Sequence, residues 1–553
     1  MASNAEASGP AAGAGGPSGT GGDRVFLRKA SGLIKTASTL DVAIFNIGVV
    51  SIGIGIAGVV LYGPSVYPGG NLPVGIIIAA LAMSMIAFGM LTWTVTIPRS
   101  GGVYPFASRI LPPPIAFMLS WVESLAWLFF CALAAYWVMT IGLIPMFTLL
   151  GTQMDSTEMA DIATFLAKPA ATCIGGIIVL LLAGGILGSG MRRYFLSQKI
   201  VITIATIGTL TMLIVLAVGS TDTFITNFDK AFGPDVTYRG VIATGKAGGW
   251  ADPGGFDFGQ TMQASNWAFL PLVGAAFSIA IGGEIKSGMR GQSVGMFAGV
   301  WVCTIFFLIG TALSTNVFGY DFLGTVGYNA LGFNTSDAAQ ATPIVPWVTL
   351  LAGTLADSPF LTIVMSLGFI AWIWMWIPAM QSYGERAMIA WAFDRVAPGP
   401  LGKVSDRFHS PIAAIGVATV ITAIFMYLFV YVSYFGTLVL FLLLGVLAWA
   451  VVLAAGCVFP FKRPDIYEKS PIANRKVLGL PLMTFACGLG FIAAAGYSVN
   501  LFLDEFAVNA RGSRLIVGAG LFVSGLLFYY VMKLYRRSKG VDVDLAFKQI
   551  PIE

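Results

Sequence analysis

Charged side chains are scarce in this sequence of 553 residues. Asp, Glu, Lys and Arg make up 10% of the chain, whereas about 25% is usual in a soluble protein. Hydrophobic residues reach 57%, and the mean hydropathy is +0.84. A water-soluble surface needs far more charge than this. The composition therefore excludes a string of soluble domains and indicates an integral membrane protein embedded in a lipid bilayer.

Histidine and cysteine are too few or too scattered for the usual metal and disulfide sites. His409 is the sole histidine, so histidine metal clusters are excluded and a histidine-based catalytic site is disfavoured. The five cysteines lie in apolar runs, which favours packing roles over a disulfide framework. We expect no metal and no cofactor. The net charge of +5 reflects basic membrane flanks and gives no argument for nucleic acid binding.

Long apolar runs are abundant in the sequence. About 20 residues cross the hydrocarbon core as a helix, and the runs do not alternate as the strands of a closed barrel would. Each segment must satisfy its own backbone hydrogen bonds, so each is expected to be helical. The fold class predicted is an all-α polytopic membrane protein of twelve spans. In chain order they cover 41–65, 73–97, 114–146, 169–188, 195–218, 259–284, 293–317, 359–382, 411–432, 434–458, 478–503 and 515–533.

The distribution of Lys and Arg predicts how the spans are oriented. With the N-terminus inside, cytoplasmic segments carry 25 of them and outer segments carry six, the bias expected when both termini are cytoplasmic. We expect a multi-pass protein of the plasma membrane, with a disordered N-terminus over 1–39 and a cytoplasmic tail over 534–553. The outer segments 219–258, an extracellular loop, and 318–358 are either ordered lids or plain connectors.

Two spans carry helix-breaking residues at mid-membrane depth. Span 1 contains the glycine-rich stretch 51–58, and span 6 contains Pro271 followed by Gly274. Interior glycine costs a helix about 1 kcal/mol and interior proline about 3 kcal/mol. Irregular backbone at this depth survives only inside the protein or along a cavity. Close helix packing through small residues is the other explanation for span 1.

The two broken spans lie five apart, so they run in opposite directions. This spacing predicts an inverted repeat of five plus five helices, over 40–218 and 259–458, with helices 11 and 12 in 459–533. Breaks at corresponding positions of two halves point to the central site of a transporter. The predicted substrate-binding residues are Ser51, Ile52, Gly53, Ile54, Gly55, Phe269, Pro271, Leu272, Val273, Gly274 and Ala275.

Three segments resemble one family of membrane proteins. Residues 97–106 read I-P-R-S-G-G-V-Y-P-F, which is similar to the P-x-S-G-G-x-Y loop of the amino acid–polyamine–organocation superfamily. Residues 116–121 look like that superfamily's start of helix 3, and 385–398 resemble its S-R-x-x-Y-A-x-A-R-D-G-x-L-P segment. The resemblance covers spans 1–10. It implies secondary active transport of amino acids or related organic cations by alternating access, as a symporter or antiporter.

Aligning span 6 with the same family suggests how the substrate is gated. Residues 284–290, where span 6 ends, look like the family's E-x-K-N-P-x-R segment. Counting back from this segment places Ala275 where relatives carry an aromatic gate residue. Trp267 or Phe269 could supply the missing bulk, and Trp374 lies in a tryptophan cluster of span 8. The apolar surroundings favour neutral, apolar amino acids. Polyamines, other organic cations and nucleobases remain alternatives, and the oligomeric state is not indicated.

Glu123 is the one carboxyl well inside a span. It follows Pro114 by nine residues, a depth of about 14 Å at 1.5 Å per residue. A buried carboxyl is a functional candidate by default, so Glu123 either carries or gates a proton, or packs span 3 as a neutral hydrogen-bonded group. It is also the only candidate for in-membrane catalysis, so we expect no enzyme, and pore helices or charged rings typical of channels are not evident.

The coupling ion, H⁺ or Na⁺, is left open. Sodium-coupled relatives place hydroxyls in span 8 beside the first break, and this chain has none over 371–376; the lysine of some proton-coupled relatives is missing near Ala205. Proton coupling, a uniporter and an exchanger all remain possible. The charged residues near the span ends are interpreted as interfacial anchors: Asp41, Lys199, Asp357, Lys533, Glu284, Lys286, Glu385 and Arg386. Residues 383–409 are predicted to form a helix lying along the cytoplasmic membrane surface.

Overall fold

The structure is a computed structural model that describes residues 33–233, 236–336, 345–432, 438–504, 506, 511–541 and 543. Nearly all regular structure in this part of the chain is helical. The one strand pair there is a hairpin in which Lys476–Val477 lies antiparallel to Leu480–Pro481. The prediction of an all-α polytopic membrane protein is confirmed.

Eleven helices among the described residues are long and apolar enough to cross a membrane. They coincide with eleven of the predicted spans, whose numbers we keep. Spans 1–5 and 7–12 are Thr39–Val66, Leu72–Thr96, Pro113–Gln153, Pro169–Gly188, Met191–Val218, Gly288–Phe318, Pro359–Phe393, Ile412–Tyr431, Leu440–Lys462, Leu482–Leu503 and Leu515–Ser538. The helices of spans 10 and 12 begin slightly earlier, at Leu438 and Arg511.

Span 6 is the predicted span that does not appear among these eleven helices. It begins as an α-helix over Phe258–Leu272 and continues as 3₁₀ turns over Val273–Ala280 and Gly282–Glu284. Pro271 lies at the end of the α-helical part, and proline removes a backbone donor and clashes with the preceding turn. The α-helical part is therefore too short to cross a bilayer alone.

Span 8 runs further than predicted. Its helix continues to Phe393, so the expected helix along the membrane surface over 383–409 is wrong. Met388, Ile389 and Trp391 are buried, and the Trp391 indole N–H donates to Ser120 Oγ of span 3 at 2.9 Å. The apolar strip therefore packs against the protein, because span 3 offers it a partner that the local sequence does not reveal.

We call the end of the bundle where span 1 begins the near end, and the opposite end the far end. Short helices cover the far end: Thr157–Leu166, Thr221–Phe232, Tyr238–Ala247, Tyr320–Ala330 and Val348–Ala356. They are fastened to the spans, since the Trp250 indole N–H donates to Pro64 O at 2.9 Å and the Tyr238 hydroxyl donates to Phe318 O at 2.9 Å. The long segments 219–258 and 318–358 are thus ordered rather than plain connectors over their described parts.

Shorter helical turns lie at the near end, over Tyr104–Ala107, Gly399–Gly402 and Pro464–Tyr467. The described part of the N-terminal segment, from residue 33 onward, is also held there. The Ala37 N–H donates to Glu284 O at 3.0 Å, and Ser38 caps span 1 with Asp41 in a reciprocal capping box, an arrangement that fixes a helix start. The remainder of the predicted disordered segment, residues 1–32, lies outside the described residues.

Burial shows which spans form the centre. In its most apolar 18-residue window span 1 is 83% buried, against 22% for span 12. Span 1 therefore lies in the middle of the bundle and span 12 at its rim. The broken helices are the central ones, as expected if irregular backbone must be shielded from lipid.

Candidate functional site

The break in span 1 lies at Ser51. Thr39–Val50 and Ile52–Val66 are separate helices, and Ser51 between them has φ 58°, a left-handed conformation that costs a non-glycine residue about 1–3 kcal/mol. Its hydroxyl accepts a hydrogen bond from the Ile54 N–H at 3.4 Å. The other N–H groups of this first turn have no acceptor within the helix. They form a site of partial positive charge where a carboxylate can bind.

The break in span 6 supplies the complementary group. Because Pro271 has no N–H, the carbonyl of Trp267 one turn earlier loses its usual helical donor. This carbonyl faces Gly58 of span 1, at 3.7 Å from where a Cβ on Gly58 would lie. A carbonyl freed in this way can accept a hydrogen bond from an ammonium group.

The two breaks touch each other. A Cβ on Gly274 would lie 2.5 Å from Val49 C and 2.7 Å from Val50 N, so only a glycine allows the backbones to approach so closely. A buried polar bridge holds the contact. Asn46 donates to Ser278 Oγ at 3.0 Å and accepts from the Ser278 N–H at 3.1 Å.

The glycines of span 1 lie within the second helix rather than at the break. A Cβ on Gly53 would lie 2.9 Å from the Trp372 ring, and one on Gly55 would lie 2.0 Å from the Phe307 ring. Both positions therefore admit large aromatic side chains from neighbouring spans. This is the close-packing explanation, which the sequence could not separate from a substrate role.

A small cavity of about 20 Å³ lies on the far side of the two breaks. It is large enough for about one water molecule, so an amino acid enters only after side chains move. Among the described residues its walls carry no ionisable acid or base other than the Tyr62 hydroxyl. The lining residues are Ile54, Ala57, Gly58, Tyr62, Trp137, Ile141, Trp267, Leu270, Pro271, Trp347 and Phe369.

Three predicted site residues line this cavity, namely Ile54, Pro271 and the predicted gate Trp267. Trp374 is partly buried and does not line it. Ala275 packs against span 7, where a Cβ on Gly299 would lie 3.1 Å from it. The other predicted residues are buried around the breaks without lining the cavity: Ser51, Ile52, Gly53, Gly55, Phe269, Leu272, Val273 and Gly274.

Sequence reasoning missed the residues that come from other elements. Trp137 and Ile141 belong to span 3, Phe369 to span 8 and Trp347 to a far-end connection. Val138–Leu143 is a π-helical segment, and such segments are frequent at functional sites. No local signal in an evenly apolar run marks that segment, and the predicted tryptophan cluster of span 8, with Trp374, does not line the cavity.

Aromatic rings close the cavity on its far side. The rings of Tyr62 and Trp267 stack with centroids 3.6 Å apart and planes 8° apart. Phe506 meets both of them edge-on, at 5.7 Å and 5.8 Å. Trp267 is 4% exposed, and its indole N–H has no hydrogen-bond partner within the described chain. This donor is free to meet a ligand when the stack opens.

Glu123 lies elsewhere, toward the near end. It is fully buried, and its Oε1 accepts hydrogen bonds from the Tyr383 hydroxyl and, at 2.5 Å, from the Trp449 indole N–H. Tyr383 follows the cavity residue Phe369 by 14 positions, about 21 Å along a helix. Glu123 therefore does not touch the cavity in this conformation, and its role in proton transfer stays a prediction.

A comparison with known protein families identifies the family to which this chain belongs. The profile of the family described as amino acid permease matches residues 38–530. The chain belongs to the amino acid permease family. The predicted membership of the amino acid–polyamine–organocation superfamily is confirmed, and the family is one of transporters rather than enzymes. None of the curated proteins matches the chain.

The family loop at 100–104 has a clear structural role in this permease. Gly102 has φ 64°, and a Cβ there would lie 2.5 Å from the Tyr383 ring. The Gly101 N–H donates to Ala280 O at 3.0 Å, and the Gly283 N–H donates to Ser100 Oγ at 3.2 Å. The loop thus clamps the 3₁₀ part of span 6 and touches the tyrosine that binds Glu123.

Buried ion pairs join separate elements at the near end of the permease. Arg386 of span 8 binds Glu284 of span 6 through Nε to Oε1 at 2.9 Å and Nη2 to Oε2 at 3.3 Å. Arg109 binds Asp394 at 3.1 Å, and both side chains are buried. Interfacial anchoring is therefore wrong for Glu284, Glu385 and Arg386, all of which are buried. Their positions near the span ends do not show that the loops fold over them.

Proposed function

We propose that this permease moves neutral, apolar amino acids across the plasma membrane by alternating access. The observation that carries the proposal is the cavity beside the two helix breaks. Its walls are aromatic and aliphatic, and burying an unpaired charge against such walls is costly. A substrate side chain that carries a full charge would find no partner among the described lining residues.

The charged ends of an amino acid can be held by backbone alone. The first turn after Ser51 presents N–H groups for the carboxylate, and the carbonyl of Trp267 can accept from the ammonium group. Ile54 and Pro271, which lie close to these groups in sequence, line the cavity. A zwitterion therefore binds without any ionised side chain, and its apolar part occupies the aromatic walls.

Alternating access requires two closures, and both are present in this conformation. On the far side the Tyr62–Trp267 stack covers the cavity. On the near side Phe277 contacts Trp127, Tyr383 and Trp449 with ring centroids 4.8–6.4 Å apart, and the Glu284–Arg386 pair lies beyond them. Opening one closure at a time would expose the cavity to one side of the membrane.

The near end is proposed to face the cytoplasm, since most Lys and Arg residues outside the spans lie there. Proton coupling through Glu123 is the favoured mechanism. The space beside the first break, where sodium-coupled relatives place hydroxyls, contains Trp372, which packs against Gly53 and donates to Thr209 Oγ1 at 2.7 Å. An exchanger or uniporter would share the same cavity and would differ only in lacking the proton step.

Competition for binding to the purified permease tests the proposal. We expect Leu, Met and Phe to displace a bound radiolabelled amino acid, and Arg, Lys, Asp and Glu to fail, because the lining residues offer no counter-charge. Polyamines and nucleobases belong in the same screen. Equal competition by charged and apolar amino acids would contradict the proposed selectivity, and binding only of a polyamine or a nucleobase would replace the amino acid as substrate.

A further inference from the structure

Three ionisable side chains meet inside the near end of the permease without balancing their charge. Glu284, Glu385 and Arg386 are 1%, 0% and 2% exposed. We call them the near-end triad. Arg386 binds Glu284 in the two-bond arrangement described above, and its remaining Nη1 contacts Glu385 Oε1. One guanidinium therefore faces two carboxyl groups.

Among the described residues, Arg386 is the one group placed to stabilise a negative charge on Glu385. Apart from the Arg386 contact at Oε1, neither of its oxygens has a hydrogen-bond donor within the described chain. By contrast, Glu284 receives two bonds from the guanidinium, a geometry typical of an ionised pair. The second carboxyl in such a group is the one that a proton would neutralise, because like charges a few ångströms apart disfavour double ionisation.

Within the part of the chain that the structure describes, the spans packed around the triad place no second cation against it. Spans 4 and 9 contain no Asp, Glu, Lys or Arg, and span 3 contributes only Glu123, bound to Tyr383 and Trp449. On span 5, Arg192 and Arg193 are exposed, Tyr194 receives a hydrogen bond from Gln198, and the half-exposed Lys199 is paired with Asp41 of span 1 at 2.8 Å.

Among the described loop residues next to the triad, Arg99 is half-buried and donates to Pro98 O at 3.2 Å, and the other cations are exposed or already paired. Lys286 and Arg290, which follow span 6, are exposed. Arg109 is held by Asp394, and burial raises the pKa of the Tyr104 hydroxyl, which is therefore neutral. With both carboxyls ionised the buried triad would carry an uncompensated negative charge, which is strongly unfavourable.

We propose that Glu385 is a proton-binding site: the near-end triad holds one proton on Glu385 while the near end is closed, and releases it when that end opens. Glu284 belongs to span 6 and Arg386 to span 8, so separating these spans breaks their ion pair. Arg386 then pairs with the adjacent Glu385, whose O–H bond ionises and gives its proton to water entering from the near end. The gating part of this inference rests on the proposed alternating access, whereas the proton count does not.

The sign of the pH dependence follows from this count. The closed state binds one proton more than the open state, so acidifying the near side favours closure and raising the pH favours opening. In Glu385→Gln only Glu284 and Arg386 of the triad carry a charge, and these two charges cancel whether the near end is closed or open. Opening of that variant is expected to lose this component of its pH dependence.

Infrared spectroscopy of the purified permease counts the proton directly. A protonated carboxyl gives a carbonyl stretching band that is distinct from a carboxylate and shifts in heavy water. We expect Glu385→Gln to remove one such band. Glu284→Gln should remove it as well, because Glu385 then becomes the ionised partner of Arg386. Arg386→Gln should instead add a second band, since both carboxyls must then be neutral.

Controls separate this pattern from general damage. Exposed Glu468 changed to Gln is expected to leave the acid bands unaltered at neutral pH, and Arg386→Lys, which keeps the charge, should match the native spectrum. If Arg386→Gln does not fold, the pair of Glu-to-Gln variants still decides the question. An unchanged acid band in Glu385→Gln, or survival of the band in Glu284→Gln, would overturn the proton assignment.

Exchange of radiolabelled substrate in proteoliposomes tests the gating part. The native permease should slow as the near-side pH falls, and Glu385→Gln should respond less steeply over the same range. An equal pH response in both would remove the gating role while leaving the spectroscopic result intact. Absence of any amino acid exchange by the native protein would count against the proposed function, and the infrared bands would still decide the proton site.

Discussion

Replacing Gly274 with Ala tests whether contact between the two helix breaks is essential to the permease. The new Cβ would lie 2.5 Å from Val49 C, 2.6 Å from Val49 O and 2.7 Å from Val50 N. Ordinary contacts begin near 3.4 Å, so the 3₁₀ part of span 6 and the end of the first helix of span 1 must separate by about 0.9 Å. The atoms in the way are backbone, which cannot rotate aside as a side chain would.

The expected cost is set by overpacking. Adding a methyl group to a closely packed site typically destabilises a protein by about 1–3 kcal/mol, and the better helical propensity of Ala returns at most about 1 kcal/mol. The displaced backbone includes the turn that ends at Ser51, next to the proposed carboxylate site. We expect substrate affinity to fall about tenfold, which corresponds to about 1.4 kcal/mol of this cost being borne by the substrate-bound conformation.

The measurement is thermal unfolding of the purified variant together with substrate binding. Gly416→Ala in span 9 is the matched control, since a Cβ there meets nothing within 4 Å and should leave both quantities near native values. If Gly274→Ala unfolded at the same temperature as the control and bound substrate with native affinity, the two breaks would not depend on each other and the reasoning would be refuted.

Three further outcomes are expected. Gly55→Leu should unfold at lower temperature because its side chain collides with Phe307, and adding Phe307→Ala should restore part of the loss; no rescue would count against the packing explanation. Glu123→Gln should keep substrate exchange in proteoliposomes but lose accumulation driven by a proton gradient, whereas equal accumulation by variant and native protein would leave Glu123 a packing group. Replacing Na⁺ with K⁺ should not change uptake, since Trp372 fills the space beside the first break; a strict requirement for Na⁺ would show that another site binds it.

The sequence predicted part of the site well and part of it poorly. The broken spans 1 and 6 were visible because glycine and proline act on the backbone locally. The exact break at Ser51 was less visible, since a serine is an ordinary residue within an apolar run and its left-handed conformation depends on surrounding packing. Gly53 and Gly55 drew attention for the same local reason, yet they contact Trp372 and Phe307 from other spans.

The burial of charged residues near the span ends also could not be predicted from the sequence. Counting along the chain assigns Glu284 and Arg386 to the membrane edge, where a side chain can reach water. In the structure the loop at 100–104 and the described start of the chain both hydrogen-bond to the end of span 6, and the pair is buried. Depth in a span does not measure depth in the protein, because loops also cover charges.

The sequence by itself determined that this chain is an all-α membrane protein, where its spans lie and which of them are interrupted. A bilayer imposes those features segment by segment, through length, hydrophobicity and the need of each helix to satisfy its own backbone. Tertiary structure alone decided which side chains meet. Trp137, Trp347 and Phe369 converge on the cavity beside Trp267 from distant parts of the chain. The spans that carry Trp137 and Phe369 are apolar on nearly every side, so no periodicity marks the inward face, and only the packing of the spans selects it.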